Sequence, residues 1–79
     1  MTIRVCYFAM LREQAQRDQE TRQTDTTTVA ALYAELAQAY RFTLPVTSLR
    51  AAVNSAFVAT DSPLKDGDEV TFVPPVAGG

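Results

Sequence analysis

The sequence predicts an α+β fold: a mixed sheet with one main helix packed on one of its faces. Three observations predict it. The first segment, "TIRVCYFA", alternates with period two. Helical spacing appears at length only once, from Thr28, and short apolar runs bounded by turn residues follow it.

In "TIRVCYFA" the alternation puts Ile3, Val5 and Tyr7 on one face of a strand and Arg4, Cys6 and Phe8 on the other. "MLREQAQ" holds good helix formers but is long enough for only a turn or two. "ETRQTDTTT" is polar and threonine-rich and reads as an edge-like second strand running into a loop. Val29, Leu32, Tyr33, Leu36 and Tyr40 then form the stripe of an amphipathic helix, with Thr28 as its N-cap. Pro45 breaks that helix. "LRAAVNSAFVAT" reads as two short strands around a turn at Asn54 and Ser55, and Asp66-Gly67 supplies the turn before a last strand, Glu69 to Val73. One helix covers one face of a sheet, so the economical arrangement is that of the ubiquitin-like β-grasp, with the first and last strands parallel at the sheet centre. The chain is expected to be one domain, 1–79, with 74–79 as an extended functional tail.

Composition narrows the function. The 79 residues are 47% hydrophobic and 20% charged, enough for one small core. A chain of this size buries about 60 to 65% of the surface it exposes when unfolded, which favours docking on a partner. The net charge of -2, with seven scattered Lys and Arg, builds no basic stripe, so neither nucleic acid nor a membrane surface is an expected partner. "MTIRVCYFAM" has no apolar run of signal-peptide length, and a cytoplasmic location is expected. One cysteine and no histidine exclude an internal disulfide, a cysteine cage for metal and the Ser-His-Asp and Cys-His nucleophile pairs. No metal site and no stably bound cofactor are expected.

Individual residues fit modest roles. Cys6 lies mid-strand without a base to activate it and reads as a packing residue. "KDGDE" reads as a solvated turn, because it lacks the later bidentate glutamate of a calcium loop. Tyr33 and Tyr40 read as core aromatics with their hydroxyls at the rim. The face of the sheet away from the helix is more informative. Phe8, Phe57 and Val73 are expected there as an apolar docking patch near the root of the C-terminal tail, and such a cluster marks an interaction surface. Burying each ring would contribute about 1.5 to 3 kcal/mol before the costs of association.

The tail, "PPVAGG", has its own logic. Pro74 and Pro75 donate nothing to a ladder and fix φ, so they end the last strand and project a stiff segment with a reach on the order of 20 Å. Val76 and Ala77 offer partner contacts, and Gly78 and Gly79 let a narrow channel close around the backbone. The terminal carboxylate of Gly79 is a poor electrophile until it is activated, most simply as an acyl adenylate made from ATP by another enzyme. An amine then gives an isopeptide, and a persulfide sulfur gives, after reduction, a thiocarboxylate.

The chain resembles the small, sulfur-carrier subunits of molybdopterin synthases. The resemblance is carried by "VCYFAMLRE" (Val5 to Glu13), "TVAAL" (Thr28 to Leu32), "AAVN" (Ala51 to Asn54) and above all "PLKDGDEVTFVPPVAGG" (Pro63 to Gly79). It implies that an E1-like adenylyltransferase activates Gly79 and that a sulfur donor acting through that system makes the thiocarboxylate. It implies further that residues 74–79 enter the large subunit of the synthase, in a heterotetramer whose large subunits hold the catalytic side chains. Sulfur then passes to cyclic pyranopterin monophosphate to build the dithiolene. The family's docking positions match Phe8, Phe57 and Val73, while Cys6 has no part in its sulfur relay. The alternatives are a carrier of the thiamine type, which tends to be shorter and to lack the double proline, a ubiquitin-like protein modifier, and an interaction domain with an inert tail.

Overall fold

The computed structural model describes residues 1–75. They run as β1 (Thr2–Tyr7), α1 (Ala9–Ala15), β2 (Gln19–Gln23), α2 (Val29–Tyr40), a 3-10 turn (Val46–Ser48), β3 (Arg50–Val53), β4 (Ala56–Val58) and β5 (Glu69–Val73). The strands form one sheet in the order β2-β1-β5-β3-β4. β1 and β5 pair in parallel in its interior, and the remaining pairs are antiparallel. This is the expected arrangement, with a second, two-turn helix added at α1.

Alternation on β1 and β5 builds the core. Val5 lies opposite Val70 and Tyr7 opposite Phe72, so the inward side chains of both strands stand side by side. α2 lays Val29, Leu32, Tyr33 and Leu36 over them, and α1 adds Leu11 and Ala15 to the same cluster. The N-cap is as expected: the Thr28 hydroxyl accepts from the Ala31 N–H at 3.2 Å. The far end of α2 falls where the apolar stripe ends, at Tyr40, but Pro45 is not what stops it. It closes four residues before Pro45, because Arg41 turns left-handed (φ 58°) and its N–H bonds back to the Ala37 carbonyl. Phe42 can then stack on Tyr33 (centroids 5.7 Å apart) and meet Tyr7 edge-on at 5.9 Å.

β2 is the edge strand the threonine-rich sequence suggested, and its inward side is charged. Glu20 lies opposite Val5 and Arg22 opposite Ile3. Glu20 accepts from the hydroxyls of Tyr7 and Tyr40, each at 2.5 Å, and Arg22 donates to Glu35 of α2 at 2.7 Å. Burial, reinforced by Glu20, pushes the Tyr7 phenol well above its usual range. Charges directed inward at an edge also discourage a further strand from pairing there.

The turns are satisfied locally. Asn54 and Ser55 both take positive φ, 51° and 73°, as a two-residue hairpin loop of mirror-image type demands. Asp66 accepts from the Thr2 N–H at 2.6 Å, and Asp68 from the Lys65 N–H and the Asn54 amide. "KDGDE" is therefore a turn whose carboxylates tie down backbone. Among the described residues no group of three or more His, Cys, Asp or Glu could hold a metal ion, and no helix is long and apolar enough to cross a membrane.

Candidate functional site

The uncovered face is organised by register. One row crosses the whole sheet as Gln19, Cys6, Thr71, Ala52 and Phe57. The next row, at the end from which the tail departs, contains Val73 opposite Arg50. Phe8 lies one residue beyond the Tyr7–Phe72 pair, so it belongs to this end as well. The sheet thus brings Phe8, Phe57 and Val73 to one end of one face, although they come from three distant parts of the chain.

Their exposures differ. Phe8 is 50% and Phe57 61% exposed, and they are the two large hydrophobic side chains that stand in solvent among the described residues. Val73 is half-buried between its neighbours. An exposed phenylalanine alone is unremarkable for a folded surface; two on adjacent rows of one face, with Val73 on a strand between theirs, are the arrangement a docking patch needs. Phe57 lies on β4, the short strand opposite in position to β2, and an open recess of about 380 Å³ runs between it and the start of β3. Leu49, Arg50, Ala51 and Val58 also line that recess.

Arg50 is the feature that sequence reasoning missed. Its guanidinium carbon sits 4.6 Å from the centre of the Phe57 ring, in cation–π contact. The signal lay in the hairpin: two short strands turning at Asn54-Ser55 put residues 50 and 57 within diagonal reach on one face. The other cation on this face, Arg4, is engaged with Glu69 at 3.6 Å and with Gln19 at 2.7 Å.

The remaining sequence candidates fall outside the patch. Cys6 is half-buried on the uncovered face rather than in the core, between Gln19 and Thr71 in the register. Tyr33 donates to the Leu44 carbonyl at 2.7 Å, and burial raises its phenol; Tyr40 is held on Glu20. Tyr33 is a core residue and Tyr40 packs half-buried against the core, both with satisfied hydroxyls. Of the residues expected to project, Pro74 is buried against the body of the domain and Pro75 is exposed. Val76, Ala77, Gly78 and Gly79 lie outside the described residues.

The parallel pairing of β1 with β5 inside a five-stranded mixed sheet, with helices on one face, defines the class: a ubiquitin-like β-grasp protein. The sequence profile of the ThiS family matches residues 5–79, and the chain belongs to that family. It is 45% identical to the molybdopterin synthase sulfur carrier subunit of Escherichia coli (strain K12), over 98% of this chain and 99% of that protein. Its fold is that of SAMP1 from Haloferax volcanii, with a TM-score of 0.80 at 24% identity over 100% of both chains. It is also the fold of a chain in the complex of subunits 1 and 2 of molybdopterin-converting factor from Helicobacter pylori, with a TM-score of 0.68 at 24% identity over 100% of both chains.

Proposed function

We propose that this chain is the sulfur-carrier subunit of a molybdopterin synthase. The observation that carries the proposal is the 45% identity to the Escherichia coli carrier across 98% of the chain. The division of the sheet supports it: one face is consumed by the core, and the other presents Phe8 and Phe57 where the tail begins.

In this reading the chain works in the cytoplasm and supplies no acid or base to the chemistry. The Gly79 carboxylate attacks the α-phosphorus of ATP on an E1-like adenylyltransferase, releasing pyrophosphate and leaving an acyl adenylate. A persulfide delivered through that activating system displaces AMP, and a thiol then attacks the donor-side sulfur of the resulting acyl disulfide, forming a disulfide with the donor and releasing the Gly79 thiocarboxylate. The patch of Phe8, Phe57 and Val73 then docks on the large subunit of the synthase. Pro75, Val76, Ala77 and Gly78 carry the charged end into its active site, where the catalytic side chains reside, and Pro74 braces the root of the tail. Sulfur passes to cyclic pyranopterin monophosphate, two transfers completing the dithiolene, within a heterotetramer of two carriers and two large subunits. The carrier itself needs no resident cofactor.

Intact mass of the protein isolated from its own cell tests this. Replacement of one oxygen by sulfur at Gly79 is expected. Attachment to lysines of other proteins would show a modifier instead, and a terminus that is always unmodified would overturn both. Deleting Gly79 is expected to end sulfur transfer and to leave the thermal transition where it was.

A further inference from the structure

We propose that Arg50 is a specificity-determining residue of the docking face, and that the large subunit must present a carboxylate to it beside the pocket that receives Phe57. The inference rests on the reading of Phe8, Phe57 and Val73 as the docking patch and adds a charged requirement to it.

Arg50 lies over the Phe57 ring at 4.6 Å, and that ring is 61% exposed. Any partner that covers the ring therefore also strips water from the guanidinium. An arginine has five N–H donors and no acceptor, and desolvating it without a partner is costly. Within the described residues those donors meet no hydrogen-bond acceptor and no carboxylate within 4 Å; Arg4, Arg12, Arg17 and Arg22 each have one, and Arg41, which like Arg50 has none, does not lie on an exposed aromatic ring. The described residues do not supply the counter-charge, and a docking partner can.

Geometry favours a carboxylate over a lone carbonyl. The guanidinium fork is planar, rests over an aromatic ring at 4.6 Å and stems from a paired strand, so its position is restricted before binding and it loses less freedom on docking. A two-oxygen acceptor matches such a fork. Arg50 stands opposite Val73 at the tail end of the face, so the ion pair would form next to the point where the tail enters. A surface that accepts the aromatic patch and lacks an acid there leaves a buried cation unpaired, which rejects the wrong partner.

Affinity for the purified large subunit from the same organism, measured by titration calorimetry at low and moderate salt, tests the proposal with the full chain. Arg50→Ala is expected to weaken binding by roughly tenfold or more and to flatten the salt dependence. Arg50→Glu is expected to weaken it further, and Arg50→Lys to recover only part, because it restores the charge without the fork. Thermal unfolding of each variant checks the fold, with Arg50→Gln as a polar substitute should Arg50→Ala prove unstable. Phe8→Asp serves as the control for the patch itself. If Phe8→Asp weakens binding and Arg50→Ala does not, the patch stands and the role of Arg50 is refuted. Tighter binding by Arg50→Ala would also refute it, showing a cover for Phe57 rather than an anchor. If neither substitution changes affinity, the docking patch is misplaced and the inference goes with it.

Discussion

Val5 and Cys6 are consecutive on one strand, yet Val5 is completely buried while Cys6 keeps contact with solvent. The same contrast runs across the sheet: Val70 and Phe72 point into the core, Thr71 and Val73 away from it. The covered face holds Ile3, Val5, Tyr7, Val70 and Phe72, none more than 2% exposed. The other face carries polar side chains over most of its area and aromatic ones at a single end. A period of two lets each strand serve both, so stability and partner choice are written on alternate residues. Substitutions on one face should therefore leave the property of the other nearly untouched.

The strongest way to break that contrast is to truncate one phenylalanine on each face. Phe72→Ala removes a fully buried ring that meets Tyr33 at 5.3 Å, and a loss of about 3–5 kcal/mol is expected in urea unfolding. Phe57→Ala, from the exposed patch, is expected to stay within about 0.5 kcal/mol of the parent. Similar losses for both would mean that Phe57 holds the fold together and that the two faces are not separate in duty.

A second comparison sets the polar cluster at β2 against the ion pair outside. Glu20→Gln deprives two tyrosine hydroxyls and two nearby arginines of a carboxylate whose side chain is only 11% exposed, and about 1–3 kcal/mol should be lost. Arg4→Ala breaks an exposed pair with Glu69 and is expected to cost less than about 1 kcal/mol. Thermal unfolding of the two variants reads the difference. Equal shifts would show that the buried charge cluster contributes no more than a solvated pair.

What could be seen in the sequence follows the range of the forces involved. Strands β1 and β5, helix α2 and the Asn54-Ser55 hairpin depend on neighbours within a few residues, and alternation, a cap or a turn pair announces each. The facings of Phe8 and Val73 were within reach because they follow from alternation along β1 and β5, while that of Phe57 is fixed only by the register of β4 against β3. Arg50 was not, since its value lies in a contact with Phe57 that only the pairing of β3 with β4 creates. Glu20 and Arg22 were missed for the same reason: in isolation "ETRQ" is a polar edge, and only the register against Val5 and Ile3 turns its charges toward the helix. The end of α2 at Tyr40 follows the end of its stripe, but its cause was not legible: Arg41 turns left-handed well before Pro45, and such a cap at a non-glycine residue leaves no mark in composition. Pro74 looked like the start of the projecting tail because its effect on the ladder is local, whereas its burial depends on the surrounding surface.

The smallest expected effect concerns acid. Glu35 is held below its ordinary value of 4.5, first by the hydrogen bond from Arg22 and then by the one from Thr24. In the unfolded chain it returns to that ordinary value, so the folded state binds fewer protons at this site between the two values. Its contribution to stability is therefore complete above about pH 4.5 and is lost as the pH falls through the lower folded value. Asp68 adds to the same trend, held below 3.8 by the Lys65 N–H and the Asn54 amide. Glu35→Gln should be slightly less stable than the parent at neutral pH, with the gap closing as the solution is acidified. Arg4→Ala gives no such expectation for Glu35, because that pair lies on the opposite face of the sheet. Denaturation midpoints followed from neutral to acid pH would show it, and a gap that stays constant would mean that the Arg22–Glu35 pair makes no pH-linked contribution to the covered face.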